Sequence, residues 1–276
     1  MNLFKNRLSE ENKEQYILEK NLAEKLRRAN QKERLDMYSK VYDNFYQKYG
    51  QSEKSNRKLV SYFPNIIFLY QFSLIKPFIK FNSNYLEIGA GDCKFALQMS
   101  KYFKIIYIVD VSKVISKDIT FPPNINLILS NGVNIDLPEN FINVAYSFSV
   151  IEHIHPEDLL IQLKNLHKCL SWDGVYISST PNRLFGPHDI SKFFERTATG
   201  FHLKEYTTNE LESIFKQAGF SKIVIFVSLI WFTFKIPLRI LKVIESVLFL
   251  IPYIIRKKLA HNLFWIFTNI NLIAYK

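Results

Sequence analysis

A glycine-rich turn between an apolar run and a helix-like segment carries the first chemistry in this sequence. It reads Glu87-Ile88-Gly89-Ala90-Gly91-Asp92-Cys93. Glycines let the backbone turn sharply and approach a ligand closely, and the N-terminus of the following helix offers free N–H groups. A second acid, Asp110, closes the next apolar run, where a carboxylate can accept hydrogen bonds from both hydroxyls of a ribose. The spacing therefore predicts a site for a nucleotide-like ligand.

Three histidines near the predicted ends of later strands are candidates for proton transfer: His153, His188 and His202. Histidine suits this task because its pKa lies near neutrality. We expect His153 to be the base, with His188 and His202 as the next candidates. Plainer roles stay open for each of them. His153 could bond only to backbone, His188-Asp189 could form a turn, and Glu152 could be a solvated charge.

The elements that must position these residues alternate between strand-like and helix-like patterns. Seven apolar runs predict strands at 85–89, 105–110, 125–129, 142–150, 175–180, 223–227 and 270–275. Helices are predicted between them at 93–103, 156–170 and 207–220, the last opened by a capping box of Thr207 and Glu210. Such alternation implies right-handed crossovers. We therefore predict an α/β, Rossmann-like fold, a seven-stranded mostly parallel sheet with helices on both faces.

The remaining segments flank or interrupt this core. Residues 8–50 predict one or two polar helices with one apolar face, and Gly50 with the polar stretch behind it predicts a linker. Residues 65–80 predict a largely buried helix. The resulting plan is an N-terminal helical cap and linker at 1–60, a core at 61–228, a helical insertion or lid at 229–267, and a closing strand at 268–276.

The positive charge lies at the two ends of the predicted core. The chain has a formal net charge of +11. Residues 1–60 hold 14 Lys and Arg against 9 Asp and Glu, residues 229–276 hold 7 against 1, and residues 61–228 are neutral with 15 against 15. A nucleic-acid enzyme usually lines its cleft with basic residues, so this distribution makes nucleic acid an unlikely partner. The two cysteines lack metal-ligand spacing and the N-terminus lacks an apolar signal core, so we expect a cytoplasmic protein.

The insertion supports two interpretations. Lys235, Arg239, Lys242 and Ser246 recur at helical spacing and predict a polar stripe beside a broad apolar face. The uncharged runs on either side are shorter than the roughly 20 residues that span a bilayer. The segment is therefore either a lid packed on the core or an interfacial helix that uses residues 235–258 to contact an anionic membrane surface. The second interpretation adds the inner membrane face to the expected location.

Taken together, these motifs resemble those of the class I S-adenosylmethionine-dependent methyltransferases, over about residues 65–228. In that family an acid precedes x-G-x-G-x-G and a second acid closes strand two. Cys93 stands here in place of the third glycine, and Asn143 in place of an acid on strand four. The resemblance implies S-adenosylmethionine as cofactor, held by Glu87, Gly89, Gly91, Asp110, Asn131 and Gly132. We expect methylation of an oxygen nucleophile on a small molecule, a glycan or a lipid-linked precursor.

A metal is a further implication of the resemblance. In two branches of the superfamily, E-x-x-E-H after strand four binds a divalent cation. Here the segment reads Ser149-Val150-Ile151-Glu152-His153. The candidate ligands are Glu152, His153 and His202, and the candidate ion is Mg²⁺. One carboxylate has become Ser149, and a hard cation prefers several oxygen ligands, so we expect catalysis without metal.

Other classes of protein remain as alternatives. A nicotinamide-dependent dehydrogenase also pairs G-x-G with an acid on strand two, but it expects a glycine where Lys94 stands. An RNA 2′-O-methyltransferase would explain the basic ends, but not the neutral core. A non-catalytic protein that binds the cofactor, or a membrane-surface interaction protein, would have no need of the histidines.

Overall fold

An eight-stranded mixed sheet forms the centre of the computed structural model, which describes residues 2–60, 64–114, 116–229, 232–262 and 268–276. Its strands are β1 (Asn84–Ile88), β2 (Ile105–Asp110), β3 (Ile125–Leu129), β4 (Ile142–Phe148), β5 (Leu170–Pro181), β6 (Lys222–Leu229), β7 (Phe232–Ile236) and β8 (Asn269–Tyr275). They lie in the order β3-β2-β1-β4-β5-β8-β6-β7. The strands from β3 to β5 pair in parallel, β8 is antiparallel to β5 and β6, and β7 is antiparallel to β6.

The α/β fold is as predicted, but the predicted number of strands was one too few. The additional strand, β7, lies in the segment that the sequence analysis treated as wholly helical. It pairs with β6 so that Phe234 lies opposite Val227. A short apolar run inside a longer apolar stretch does not distinguish strand from helix by periodicity, which explains the error. A consequence is that Lys235 lies on β7 and not on the helix that follows.

Helices cover both faces of the sheet. They are α1 (Asn2–Arg28), α2 (Gln31–Val60), α3 (Pro64–Ile75), α4 (Lys94–Met99), α5 (Pro156–Cys169), α6 (Thr208–Gln217), α7 (Leu238–Leu250) and α8 (Tyr253–Asn262). Side chains of β1 alternate between two apolar clusters. Tyr85 packs with residues of α3 and α4, whereas Leu86 and Ile88 pack with residues of α5 and α6. This alternation is what a strand buried on both faces requires.

Local signals in the sequence set several element boundaries. The capping box of Thr207 and Glu210 opens α6 as predicted, and Gly219, at φ +107°, follows its end. Other boundaries differ from the prediction. Strand β5 begins at Leu170, before the predicted start at residue 175, and the residues between bulge, since Leu170 pairs with Ile142 and Val175 with Val144. Helix α3 is half-buried, with Ile66 and Ile67 exposed, because only one side of it meets the sheet.

The N-terminal helices form a cap on the core. Their apolar face, which includes Leu22, Leu26 and Tyr42, packs with Phe201 and Leu203 from the long segment between β5 and α6. Helix α2 continues through Gly50 to Val60, so the predicted linker is helical up to that residue. A single glycine costs a helix only about 1 kcal/mol relative to alanine, which the flanking helix formers can offset. Among the described helices, none combines the length and apolar character needed to cross a bilayer.

Candidate functional site

The glycine-rich turn lies at the carboxyl end of β1, with two of its glycines in left-handed conformations. Gly89 has φ +66° and Gly91 has φ +53°. A Cβ at Gly89 would approach Val150 to 2.6 Å, so that only glycine fits between the ends of β1 and β4. A Cβ at Gly91 would meet nothing within 4 Å, because that position faces open space. The turn thus leaves room for a ligand beside its backbone.

Cys93, the residue in place of the third glycine, also adopts a left-handed conformation, at φ +55°. This conformation costs an L-residue roughly 1–2 kcal/mol. The side chain is buried in the apolar cluster beneath the turn and is not part of the pocket lining. Cys93 therefore adopts at this position a backbone conformation that glycine takes more readily.

Asp110 ends β2 beside the turn and lines the pocket. Its carboxylate accepts hydrogen bonds from the backbone N–H groups of Gly91 (3.3 Å) and Ser112 (3.0 Å). Burial raises its pKa, which these bonds partly oppose. A carboxylate offers about four acceptor sites, so backbone bonds leave capacity for a ligand hydroxyl. The open space at Gly91 and this acceptor together fit a cofactor with a ribose.

The pocket between the turn and the cap has a volume of about 720 Å³, including its open mouth. The predicted residues Gly89, Gly91, Asp110, Gly132 and His153 all line it. Residues at and after the ends of the core strands supply the polar part of the pocket lining.

The cap supplies an aromatic wall that the sequence analysis missed. Tyr38, Tyr42 and Tyr46 of α2 line the pocket. Their spacing of four residues was visible in the sequence, but it was interpreted only as the apolar face of a polar helix. The hydroxyl of Ser112, two residues after Asp110 in the chain, donates to Asp43 of α2 at 2.6 Å and connects the cap to the end of β2.

Two predicted cofactor residues lie just behind the pocket lining. Glu87 is buried in β1, where its carboxyl group accepts a hydrogen bond from Tyr85 at 3.1 Å, and burial raises its pKa to about 8. Asn131 accepts from the N–H groups of Val133 (3.1 Å) and Asn134 (2.9 Å). It thereby shapes the turn that exposes the adjacent glycine. Neither side chain is among those that line the pocket.

Gly132 is the member of that turn which faces the cap. It has φ +90°, and a Cβ there would approach the ring of Tyr38 to 2.9 Å. Its carbonyl accepts a hydrogen bond from Gln162 of α5 at 2.7 Å. The position therefore requires glycine both for its conformation and for the close approach of α2.

His153 lies in a short helical turn after β4, with its ring at the pocket. Its Nδ1 is 3.0 Å from the carbonyl oxygen of Phe201. A carbonyl only accepts, so Nδ1 carries the hydrogen and the lone pair is on Nε2. Burial, together with the neighbouring His202, lowers the pKa of His153 to about 3. The ring is thus neutral at physiological pH.

His202 and His188 are not part of the pocket lining; His202 is buried and His188 half-buried, and both bond to Glu205. The Nδ1 of His202 bonds to a carboxylate oxygen of Glu205 at 2.7 Å. Burial disfavours its charged form, but this bond and nearby acids outweigh burial and raise the pKa of His202. His188 bonds through Nε2 to the carbonyl of Asn182 at 3.0 Å, and its backbone N–H donates to Glu205. Asp189 caps the turn after it by accepting from the N–H of Ser191.

The predicted metal ligands come together in space. Glu152, His153 and His202 each offer one ligand atom, and these atoms lie within 4.8 Å of one another. One oxygen of Glu152 accepts from Thr180 at 2.8 Å, and the other has no hydrogen-bond partner among the described residues. Both histidines are oriented by bonds through Nδ1, the kind of outer contact that fixes metal-binding rings. This donor set fits a divalent cation.

Comparison with known proteins agrees with this geometry. The sequence profile of a methyltransferase domain family matches residues 22–224, which include part of the cap and most of the core. Proteins described as probable S-adenosylmethionine-dependent methyltransferases from Mycobacterium tuberculosis and Mycolicibacterium smegmatis are 28% identical over 98 residues. That alignment covers 36% of this chain and about a third of each relative (34% and 36%).

Solved structures share the fold. A SAM-dependent methyltransferase from Thermotoga maritima superposes with a TM-score of 0.55 at 14% identity, over 84% of this chain and 98% of its own. Another from Archaeoglobus fulgidus gives 0.52 at 18% identity, over 76% and 93%. With the family profile spanning more than half of the chain, this protein belongs to the S-adenosylmethionine-dependent methyltransferase domain family.

Proposed function

We propose that this protein transfers the methyl group of S-adenosylmethionine to an oxygen nucleophile of a small molecule, a glycan or a lipid-linked precursor. Asp110 would bind the ribose hydroxyls, and the two turns at Gly91 and Gly132 would let the cofactor lie against the backbone. Glu87 and Asn131 would contribute from behind the lining by holding these turns in place. The cofactor supplies the activated methyl group, and the chain supplies alignment and proton uptake.

The observation that carries this proposal is the neutral ring of His153 at the pocket. When a hydroxyl attacks the methyl group, its oxygen becomes a protonated ether, which is a far stronger acid than an imidazolium with a pKa of about 3. Nε2 of His153 can therefore take that proton as the new C–O bond forms. A methylated amine holds its proton much more tightly, so this base suits oxygen acceptors better than nitrogen acceptors.

The proposal is tested by following an isotopically labelled methyl group. The purified protein is incubated with S-adenosylmethionine carrying a ¹³C-methyl group and with separated metabolite, lipid, glycan and RNA fractions of a cell extract. We expect NMR to detect a new O-methyl signal in a metabolite, lipid or glycan fraction. An N-methyl signal would contradict the oxygen acceptor, label in RNA would favour the RNA 2′-O-methyltransferase, and no transfer to any fraction would favour a non-catalytic protein.

Removing the Asp110 carboxylate should weaken cofactor binding. We expect Asp110→Ala to cost about 1.5–3 kcal/mol of S-adenosylmethionine binding free energy, the range for a hydrogen bond to a charged group. Asp110→Asn keeps the shape and should lose less. Calorimetry on the folded variants measures the change. Asp92→Ala is the matched control, because that acid lies in the neighbouring glycine-rich turn but is not part of the pocket lining. Equal affinities of all variants would exclude Asp110 as the ribose ligand.

A second candidate mechanism, metal-assisted methyl transfer, is favoured by the oxygen of Glu152 that has no described hydrogen-bond partner. Glu152, His153 and His202 would hold the cation, which would lower the pKa of the acceptor hydroxyl. Two imidazoles and one carboxylate suit Mn²⁺, Fe²⁺ or Zn²⁺ better than the expected Mg²⁺, which prefers oxygen ligands.

Chelation separates the two mechanisms. With His153 as the base, turnover should be unchanged after treatment with EDTA, and divalent cations should leave the thermal unfolding temperature of the protein unaltered. Loss of turnover that added Mn²⁺ restores, together with a cation-dependent rise in unfolding temperature that disappears in Glu152→Gln, would instead establish the metal site.

A further inference from the structure

Helix α7 presents an apolar face to solvent. Ile240, Val243, Val247 and Leu250 recur at intervals of three and four residues, which places them on one side of the helix. Their side chains are 53%, 62%, 56% and 83% exposed. We call these four residues the outer face of α7. A run of large apolar side chains this exposed usually marks an interaction site.

The opposite side of α7 already packs against the core, which fixes the helix in this orientation. Leu248 contacts the apolar side chains of Leu184 and Phe185, and Leu241 is buried in the main core. Glu245 is buried as well and accepts hydrogen bonds from Asn182 at 2.9 Å and from the backbone N–H of Thr208 at 3.1 Å. The outer face is therefore turned away from the packed side of the lid, so packing against the core does not account for it.

The exposed charge around the outer face is positive. Residues 235–258 contain six basic residues and one acid, Glu245, which is buried. Lys242 forms an ion pair with Glu212 of α6 and is thereby engaged within the fold. Arg239, Lys257 and Lys258 are exposed. The basic residues predicted to form one polar stripe on a helix therefore have different surroundings. Lys235 lies on strand β7, Lys242 is in an ion pair, and Arg239 is exposed.

Further exposed apolar side chains lie at the end of α7 and in α8. Phe249 is 65% exposed and lies beneath the guanidinium group of Arg256, at 5.8 Å from its ring. In α8, Ile254 and Ile255 are 63% and 50% exposed and directly precede the basic run of Arg256, Lys257 and Lys258. Apolar side chains bordered by Lys and Arg are the pattern of helices that lie in a membrane interface.

We propose that the outer face of α7, with the adjoining residues of α8, binds the surface of an anionic lipid bilayer. The apolar side chains would enter the boundary between headgroups and acyl chains, and Arg239, Lys257 and Lys258 would contact lipid phosphates. The positive charge of this flank selects an anionic membrane over a second copy of the chain, because two copies would bring like charges together. This binding does not depend on methyl transfer.

Sedimentation of the full chain with lipid vesicles tests the proposal directly. We expect the protein to pellet with vesicles of phosphatidylcholine and phosphatidylglycerol, and to stay in the supernatant with phosphatidylcholine alone. The bound fraction should fall when salt is raised from about 0.1 M to about 1 M, because the Debye length shortens from about 10 Å to about 3 Å.

Two groups of variants separate apolar from electrostatic contributions. Val243→Gln with Val247→Gln should weaken vesicle binding at least about tenfold through the loss of apolar burial. Arg239→Gln with Lys257→Gln and Lys258→Gln should weaken it about a hundredfold, since each cation near an anionic surface contributes roughly 1 kcal/mol. Ser246→Gln is the matched control, because it lies on the same helix beside Val247 and is also exposed. It should bind like the wild type. Circular dichroism establishes that each variant is folded.

Three outcomes would overturn the proposal. The first is a wild-type protein that stays in the supernatant with anionic vesicles. The second is binding that is equal for neutral vesicles or indifferent to salt. The third is a dimer in size-exclusion chromatography that Val243→Gln with Val247→Gln dissociates, which would assign the outer face to a second copy of the chain.

Discussion

His153→Ala should lower turnover roughly 10²–10⁴-fold, the usual contribution of a positioned general base. The affinity for S-adenosylmethionine should change little, because Asp110 and the glycine turns form the other side of the pocket. Turnover is measured as S-adenosylhomocysteine formed at saturating cofactor with the acceptor fraction found by methyl labelling. Cofactor affinity is measured separately by calorimetry, so that loss of binding and loss of chemistry are distinguished.

The acid limb of the pH profile and a second histidine serve as controls. Because the pKa of His153 is lowered to about 3, the base is deprotonated above that value, and its titration should cause no loss of turnover between about pH 8 and pH 5. His167→Ala should leave turnover unchanged, since that ring packs on Phe220 and is not part of the pocket lining. Wild-type turnover in His153→Ala would show that alignment of the acceptor alone drives the reaction.

Breaking the ion pair between Arg34 and Asp158 should strongly destabilise the protein. The pair joins α2 to α5, with distances of 2.7 Å and 2.9 Å, and the side chains are only 2% and 0% exposed. Removing Asp158 leaves the buried guanidinium of Arg34 with only the exposed carboxylate of Glu157 and the carbonyl of Ala29 as partners, each at 2.7 Å. We expect Asp158→Ala to lower the free energy of unfolding by about 3–5 kcal/mol. Urea unfolding followed by circular dichroism measures the change.

A solvent-exposed pair on the same cap provides the comparison. Arg28 and Glu24 are 80% and 45% exposed, so Arg28→Ala should cost at most about 1 kcal/mol. Burial opposes the charge of Asp158, but its hydrogen bond from Arg34 outweighs burial and lowers its pKa. The stabilisation should therefore be complete above the ordinary Asp pKa of about 4 and disappear as pH falls below it. Similar losses in the buried and exposed variants would contradict this account.

The positions of the glycine turn and of Asp110 at one end of the sheet could be predicted from sequence because each of these signals is local. The glycine turn and the acid ending β2 are short motifs whose meaning depends on the strand just before them. The capping box of α6 is equally local, since Thr207 and Glu210 satisfy one another within a single turn. Such signals need no knowledge of which distant segments meet, so the fold and the family followed from them.

The parts that the sequence did not reveal depend on contacts between distant residues. Arginine is usually found at the protein surface, and Arg34 is buried only because Asp158 lies opposite it. Tyr42 and Tyr46 gave the pattern of a packed helix, and nothing in that pattern says that part of their surface faces a cavity. The strand β7 was hidden for a related reason, because its pairing with β6 decides between two structures that its apolar residues allow equally.

The cap also has a consequence for the order in which the chain can become functional. Arg27 of α1 donates to the carbonyls of Thr199, Gly200 and His202, about 170 residues further along the chain (172, 173 and 175 positions). During synthesis, the N-terminal helices leave the ribosome long before these partners exist, so their apolar face has nothing to cover it. A holding chaperone is the usual protection for such a segment. The contacts of Arg27 can form only after the chain has been made as far as His202, so α1 cannot reach its final position on the core before then.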